Sequence, residues 1–397
     1  MPTSVGVGTS ESSDAFQAGK EAAKIACNRA KEDFLDLFIV FASGKFEQPK
    51  LLQGIKSVCS GATIVGCSSA GEITGEGSAK NSVAVMGLKS ERLRFATGLG
   101  CGLSQDARSA GQRCAKQALA EKINNRQVFI MLPDGLTEHG SDVIRGIQEV
   151  LGTSFPIVGG SAGDDYLFKK TYQYYHDSVF SDSVVGILLG GDISVGIGIR
   201  HGWHAIGKAH EVTQASGNTL NKVDGKEAIK IYEDYFAEEA EDLRKSQWAK
   251  VSTIYPLGMS IPDEEELLIR YASKATADGS LVCAADVPQG SQVRLMIADK
   301  EGVLNAAKEA TLKAKEGIKD AEIKAVIVFD SIARKRVLGR DSVKEIEVIK
   351  KTLAMGAPII GFYSYGEQAP LRAERYIGKS YFHNETIVVM CIAEHKK

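Results

Sequence analysis

Short apolar runs alternate with helix-spaced apolar positions along most of the chain, and the alternation returns. DLFIVFAS (Asp36 to Ser43) is followed by Leu51, Leu52, Ile55, Val58 and Cys59, then by a run ending in a glycine-bounded turn, IVGCSSAGE (Ile64 to Glu72). QVFIMLPD (Gln127 to Asp134) is followed by Val143, Ile144, Ile147, Val150 and Leu151, then by IVGGSAGDD (Ile157 to Asp165). AVIVFDS (Ala325 to Ser331) and IIGFYSYGE (Ile359 to Glu367) make a third pair. Both sets of intervening positions follow i, i+1, i+4, i+7, i+8, one face of an α-helix, so the pattern predicts strand, helix, strand, turn.

The repetition extends beyond the turn. SSDAFQAGKEAAKIA (Ser12 to Ala26) matches SQDARSAGQRCAKQA (Ser104 to Ala118), and FQAGKEA (Phe16 to Ala22) is echoed by LNAAKEA (Leu304 to Ala310). The spacing between the first two copies stays constant to within one residue. Regularity of this kind indicates repeated supersecondary units. The first unit starts with a β pattern from Ser4 to Gly8. A helix over 13–30 follows, capped by the Ser12-Ser13-Asp14 cluster, whose side-chain oxygens accept from free N–H groups. Pro49 suits the first turn of the second helix. A partner strand follows each turn, Ser82 to Leu88 in the first unit and Ser183 to Gly191 in the second. The expected fold class is α/β: β-α-β-α-β-β units over about 4–88, 92–190 and 291–393, in mixed sheets covered by helices. A two-domain division at residues 1–225 and 226–397 is expected.

An insert of about one hundred residues, Asp192 to Gly290, separates the second and third units. It begins with strand alternation and passes a turn at Gly217-Asn218. It continues into a helix opening near Gly225, a charged helix over 233–250, and two strands joined at Asp278-Gly279, a favoured hairpin dipeptide. The apolar run from Ser183 to Ile199 is broken by Asp192 and reads as two buried strands, so membrane insertion is not expected.

Composition narrows the function. Hydrophobic content of 44% and charged content of 25% are ordinary for a globular protein, and a net charge of −2 gives no footprint for nucleic acid. Arg334-Lys335-Arg336 is short enough to read as a solvated loop. Seven cysteines without a C-x-x-C pair favour reduced thiols and a cytoplasmic location, and no signal peptide is visible at the N-terminus.

The turns carry the candidate chemistry. A glycine-bounded turn at the carboxyl end of a buried strand exposes backbone N–H groups where open α/β sheets bind ligands. Ser68, Ser69, Ser161 and Ser364 add hydroxyls, Gly71, Gly163 and Gly366 allow close approach, and Glu72, Asp164 and Glu367 could receive an ammonium group. The same glycines also serve tight turns, and the acids also serve as caps. GGSAG fits G-x-S-x-G and would make Ser161 the nucleophile of a serine hydrolase, but a loop and strand follow it rather than the helix a nucleophile elbow needs. Cys67 is either a reactive thiolate or a buried structural thiol. His201, His204 and His210 lack zinc-motif companions, so no metal site is assigned. His201, His176 or His383 could serve as a single axial ligand to haem. Gly6-x-Gly8 and Gly98-x-Gly100-x-Gly102 lack nucleotide-binding spacing.

GFYSYGEQAP (Gly361 to Pro370) with FHNET (Phe382 to Thr386), IVGCSSAGEI with SVAVMGL, IVGGSAGDD, and the GW…IG…VT…GNTL…VDGKEA segment (Gly202 to Ala228) resemble the FIST-domain family in the family's order, over nearly the whole chain. The resemblance implies an N-terminal and a C-terminal FIST domain, small-ligand binding with amino acids among the ligands, and signal transduction through a separate partner such as a histidine kinase or chemoreceptor. It implies a sensor and not an enzyme, and the sequence itself requires no cofactor. Some relatives bind haem and report nitric oxide, so haem is the alternative. The ligand is expected in a crevice beside the turns, with Tyr363, Ser364, Tyr365 and Glu367 foremost and Asn384 nearby.

Overall fold

Every repeat unit lays out a common set of elements in the same order, to which unit three adds a short helix and an insert. The computed structural model describes residues 3–236, 248–262, 264, 266–354, 356–371 and 378–395. Unit one contains β1 (Ser4–Ser10), α1 (Ala15–Ala30), β2 (Leu37–Ser43), α2 (Gln48–Lys56), β3 (Thr63–Ser69), the hairpin β4 (Glu72–Thr74) and β5 (Gly77–Ala79), and β6 (Val83–Lys89). Unit two contains β7 (Leu93–Cys101), α3 (Leu103–Ala120), β8 (Val128–Pro133), α4 (Gly140–Leu151), β9 (Ile157–Gly160), the hairpin β10 (Gln173–Tyr175) and β11 (Ser178–Phe180), and β12 (Ser183–Gly191).

Unit three begins earlier than its sequence echo. Its first strand is β13 (Ser194–Arg200), which pairs antiparallel with the last strand of the chain. The insert therefore lies inside unit three, after this strand, and not between two complete units. It comprises β14 (Trp203–Ser216), β15 (Thr219–Val223), β16 (Lys226–Glu227), α5 (Lys230–Phe236), α6 (Trp248–Ile254), β17 (Leu257–Met259), β18 (Leu268–Arg270), β19 (Ala272–Ala275), β20 (Leu281–Cys283) and β21 (Gln292–Ala298). Unit three resumes with α7 (Lys300–Ile318), β22 (Glu322–Ser331), α8 (Ile332–Leu338), α9 (Ser342–Leu353), β23 (Ile359–Ser364), the hairpin β24 (Glu367–Pro370) and β25 (Ser380–His383), and β26 (Ile387–Glu394). The expected helix over 233–250 falls largely on 237–247, outside the described residues.

The three unit sheets have equivalent strand orders, β1-β6-β2-β3-β10-β11, β7-β12-β8-β9-β24-β25 and β13-β26-β22-β23-β4-β5. Each holds one parallel pair, β2 with β3, β8 with β9, or β22 with β23, among antiparallel neighbours. The last two strands of each sheet come from another unit. Unit two lends its hairpin to unit one, unit three to unit two, and unit one to unit three.

Both faces of each sheet are buried, which is why the central strands read as continuous apolar runs. Leu37, Ile39 and Phe41 point toward one core shared by all three sheets, where Phe41 and Phe362 rings lie 4.5 Å apart and Phe329 and Phe362 rings 5.9 Å apart. Phe38, Val40 and Ala42, one residue out of phase, face α1 and α2. Helices α3 and α4 cover the second sheet and α7 and α9 the third. The Gly-x-Gly pairs in the first strands make this cover close. A Cβ at Gly8, Gly100 or Gly198 would lie 2.1, 2.0 or 1.9 Å from the carbonyl oxygen of Ala22, Ala110 or Ala310 on the covering helix.

Local signals translate as expected. Asp14 caps α1 by accepting from Gln17 N–H at 2.8 Å. Helix α2 ends at Lys56, short of Val58 and Cys59, although Cys59 remains buried in the following turn. The insert folds on its own sheet, β18-β17-β21-β14-β15-β20-β19, around Val212, Leu220, Tyr232, Leu257 and Leu281. Gly217-Asn218 joins β14 to β15, and Asp278-Gly279 lies between β19 and β20.

Arg334 departs from expectation. It is fully buried, not part of a solvated loop. Its guanidinium donates to Asp330 at 3.0 Å, to Glu345, and to the carbonyls of His201 and Val303, the latter at 2.8 Å. Burial, and then the neighbouring Glu345, push the Asp330 carboxyl well above the usual carboxylate range. His201 and Val303 flank the two crossings between insert and body, so one side chain ties β22, α9 and both crossings together. Arg334→Met should cost about 3–5 kcal/mol in urea unfolding, because it strands two buried acids. A loss below about 1 kcal/mol would show that the cluster contributes little.

Candidate functional site

The turns after β3, β9 and β23 meet at one end of the three-sheet body and bond to one another. Ala70 N–H donates to the Tyr363 carbonyl at 3.0 Å and Tyr363 N–H to that of Gly71 at 2.9 Å. Ser161 N–H donates to Gly366 at 2.7 Å and Tyr365 N–H to Ser161 at 3.1 Å. Gly163 N–H donates to Ser68 at 3.0 Å and Asp165 N–H to Ser69 at 3.2 Å. Each turn thus serves its two neighbours. The expectation that these N–H groups await a ligand is corrected at these positions, because the repeats satisfy one another's donors.

Most polar side chains of the turns are engaged as well, the Tyr363 hydroxyl and Gln368 Oε1 being without a partner. Ser69 donates to Glu72 at 2.5 Å, joined by Ser82; Ser364 donates to Glu367 at 2.6 Å, joined by Thr386 N–H at 3.1 Å and its hydroxyl at 2.8 Å. Asp164 accepts from Phe168, Lys169 and Lys170 N–H groups and, at 2.5 Å, from the Tyr365 hydroxyl. Ser68 donates to the Gly163 carbonyl at 2.7 Å, and Ser161 accepts from the Gln368 amide at 3.0 Å. No imidazole is among the Ser161 bonds, and a loop follows β9. Tyr363, Ser364 and Glu367 are wholly buried, and Asn384 accepts from Tyr271 N–H at 3.3 Å. Cys67 is buried with its thiol pushed far up by desolvation, the condition of an inert thiol.

Lys335 lies against these turns. Its ammonium donates to the Ala70 carbonyl at 3.3 Å and lies 3.9 Å from the centre of the Tyr363 ring. Burial, then Lys80, lowers its pKa to about 8, against the opposing pull of Glu72, Asp330 and Asp165. Sequence reading missed this residue because its triplet resembled a charge run. The adjoining loop holds Asp165, Tyr166 and Phe168 at positive φ, a costly backbone for side-chain-bearing residues.

Two of the three candidate haem histidines, His201 and His383, are buried, and each holds a hydrogen bond. His201 uses Nδ1 to accept Trp203 N–H at 2.9 Å, which places its proton on Nε2, 3.4 Å from Glu266. The ring nitrogen Nε2 of His383 is engaged with the Ala369 carbonyl at 2.9 Å, and His176 lies exposed in the turn between β10 and β11. Burial pushes His201 and His383 down to about 3, so both stay neutral. No described cluster of His, Cys, Asp or Glu could hold a metal ion. No helix among the described residues is long and apolar enough to cross a membrane.

Concave space lies elsewhere, along the border between insert and body. A cleft of about 550 Å³ is lined by Lys250, Thr253 and Ile254 of α6, Ala298, Asp299 and Lys300 at the return crossing, and Arg336 and Val337 of α8. A second, of about 350 Å³, contains His201, Trp203, Glu266 and Glu309. A third, of about 140 Å³, separates Ile144 and Arg145 of α4 from Leu268 and Arg270 of the insert.

Family models for the FIST N domain and the FIST C domain match residues 36–226 and 228–370. The chain belongs to the FIST family. FIST domains are sensory domains of signal transduction proteins. The uncharacterized protein MJ1623 of Methanocaldococcus jannaschii is 25% identical over 301 residues, which are 70% of this chain; the chain spans 57% of that relative's length. Two solved cyanuric acid hydrolases, one from A. caulinodans, align with 99% of this FIST chain and 100% of their own at TM-scores of 0.38 and 0.35 and identities of 8% and 9%, values that carry no inference about activity. The FIST N and FIST C matches do not follow the spatial bodies, since unit three contributes β13 from the first match and lends β24 to the unit-two sheet.

The buried turn acids give a pH signature. Desolvation raises Glu72 and Glu367 to about 7, against roughly 4.3 in an unfolded chain. Between those values the folded protein holds more protons, so each group's contribution is complete below the unfolded value and is lost as pH rises through about 7. Glu367→Gln should flatten the fall in urea-unfolding free energy between about pH 5 and pH 8, by at most about 1.4 kcal/mol per pH unit. An unaltered profile would mean that Glu367 ionises without penalty.

Proposed function

We propose that this FIST protein is a cytoplasmic sensor that binds an amino acid or similar small metabolite and signals to a separate partner such as a histidine kinase or chemoreceptor. It acts by binding and not by turnover. The observation that carries this reading is the placement of the 550 Å³ cleft between insert and body. That volume suits a small molecule, and inter-domain clefts are common ligand sites. Ile254, Ala298 and Val337 give apolar walls, while Lys250 and Arg336 supply cations for a carboxylate. A ligand held between two bodies changes their arrangement only by its difference in affinity for the two states.

A thermal-shift panel of amino acids and small carboxylates tests this. A true ligand raises stability saturably, by about 2.7 kcal/mol at one hundred times Kd. Arg336→Gln should weaken that response at least tenfold in concentration, whereas Tyr365→Ala, at the turns, should leave its midpoint unchanged. A response lost in Tyr365→Ala and kept in Arg336→Gln would move the ligand to the turns. No response to any carboxylate would remove the amino-acid reading.

A further inference from the structure

The cavity of about 140 Å³ holds a buried cation without a counterion. Arg270, in β18 of the insert, is 4% exposed. Its side chain bonds only to carbonyl oxygens: Nε donates to Asp286 at 2.8 Å, and Nη1 to Ile269 at 3.0 Å and Phe382 at 3.1 Å. Nη2 makes no hydrogen bond, yet it is not among the polar atoms sealed inside the protein, and Arg270 lines the cavity. No carboxylate among the described residues pairs with this guanidinium. Asp286 shares the lining, but its carboxylate is held at 2.5 Å by Arg145, which also binds Asp142 at 2.7 Å. Burial pulls the Arg270 pKa down to about 10, so the group stays charged at neutral pH. Arg334, the other deeply buried arginine described above, meets two carboxylates; Arg270 meets none, and a buried charge without a partner is costly.

The surroundings define what would complete it. Ser141 and Arg145 of α4, Arg270 of the insert, and Lys379 just before β25 all line the same space. The Lys379 ammonium lies 5.7 Å from the centre of the Tyr381 ring and has no carboxylate partner among the described residues. With Arg145 already answered by Asp142 and Asp286, two positive charges remain open at this cavity. They stand on different elements, one in the insert and one in the body, so a ligand that meets both must present oxygens in more than one direction. A tetrahedral oxyanion does this, and a guanidinium with free N–H groups is a preferred partner for it. A phosphate group carries about −1.5 to −2 charge at pH 7, which matches the two open cations. A cavity of about 140 Å³ has the room of roughly five waters, enough for a phosphate ion.

We propose that this cavity binds a phosphate-class dianion between Arg270 and Lys379, with the Ser141 hydroxyl on the same lining. The site shares no lining residue with the carboxylate cleft, and the proposal does not rest on amino-acid binding there. Because one cation belongs to the insert and the other to the body, the bound anion ties the two together.

The test is isothermal titration of the full chain with sodium phosphate in HEPES at constant ionic strength, with melting temperature followed against sodium chloride controls. Phosphate should bind saturably and raise the melting temperature where chloride at equal ionic strength does not. Arg270→Met should abolish both effects. Lys379→Gln, at an exposed position, should melt like the parent without phosphate and weaken phosphate binding about threefold, so it decides the matter if Arg270→Met folds poorly. Arg336→Gln, in the other cleft, should bind phosphate as the parent does. Glycerol phosphate distinguishes the source of the anion: binding weaker than that of inorganic phosphate supports the free ion, and tighter binding supports a phosphomonoester in the same cavity. No saturable phosphate binding, an unchanged affinity in Lys379→Gln, or a loss confined to Arg336→Gln would overturn the proposal.

Discussion

The exchange of hairpins around the three sheets is the constraint on which the rest depends. Each sheet has an edge beside its motif strand, and an open edge is a row of unpaired N–H and C=O groups. Here every such edge is taken by a hairpin from another unit: β10 pairs with β3, β24 with β9, and β4 with β23. No unit is complete alone. The exchange also brings the turns together, because each hairpin begins just after a motif turn or its loop. The ring of turn-to-turn hydrogen bonds is thus a consequence of how the edges are closed, and so is the burial of Glu72, Ser364 and Glu367.

That geometry explains what the sequence revealed and what it hid. Strands, helices, the Asp14 cap and the hairpin at Asp278-Gly279 were legible because each is set by residues adjacent in the chain. The repeat was legible because three copies of one pattern cannot arise from local propensity. Exchange was hidden: a hairpin paired within its own unit and one paired with a neighbour have the same alternation. The first strand of unit three was hidden because the insert separates it from α7, leaving Gly196-x-Gly198 next to residues that belong elsewhere. Those glycines were the available signal, as they repeat Gly6-x-Gly8 and Gly98-x-Gly100. The turn serines and acids were found, yet their partners lie in other repeats, so their closure could not be read from spacing.

Arg334 and Glu385 show two ways in which one sequence pattern misleads. Composition marks a run of three cations as solvated, and Arg334 contradicts this because partners from β22, α9 and both insert crossings converge on it. Five guanidinium donors in a fixed fork can meet such a set, which an ammonium could not. Glu385 is the converse. Its motif, FHNET, was noticed for its resemblance, and the reading settled on Asn384, whose amide is occupied by Tyr271. The acid beside it, whose carboxylate oxygens have no hydrogen-bond partner, becomes visible only once hydrogen bonds are accounted for residue by residue.

Together these residues separate a body closed by its own hydrogen bonds from a border with the insert that leaves concave space. The three-sheet body is fixed by edges that cannot open singly, since releasing one hairpin disrupts a second unit's sheet. The insert joins it through two adjacent crossings tied by Arg334, with clefts on the remaining border. A sensor needs a difference in free energy between two arrangements that a ligand can offset, and a uniformly closed fold offers none. At the border the fold leaves concave volume at α6 and α8. The closure of the turns and the openness of the border are complementary: the repeats satisfy one another's backbone donors, and concave space lies where insert and body meet.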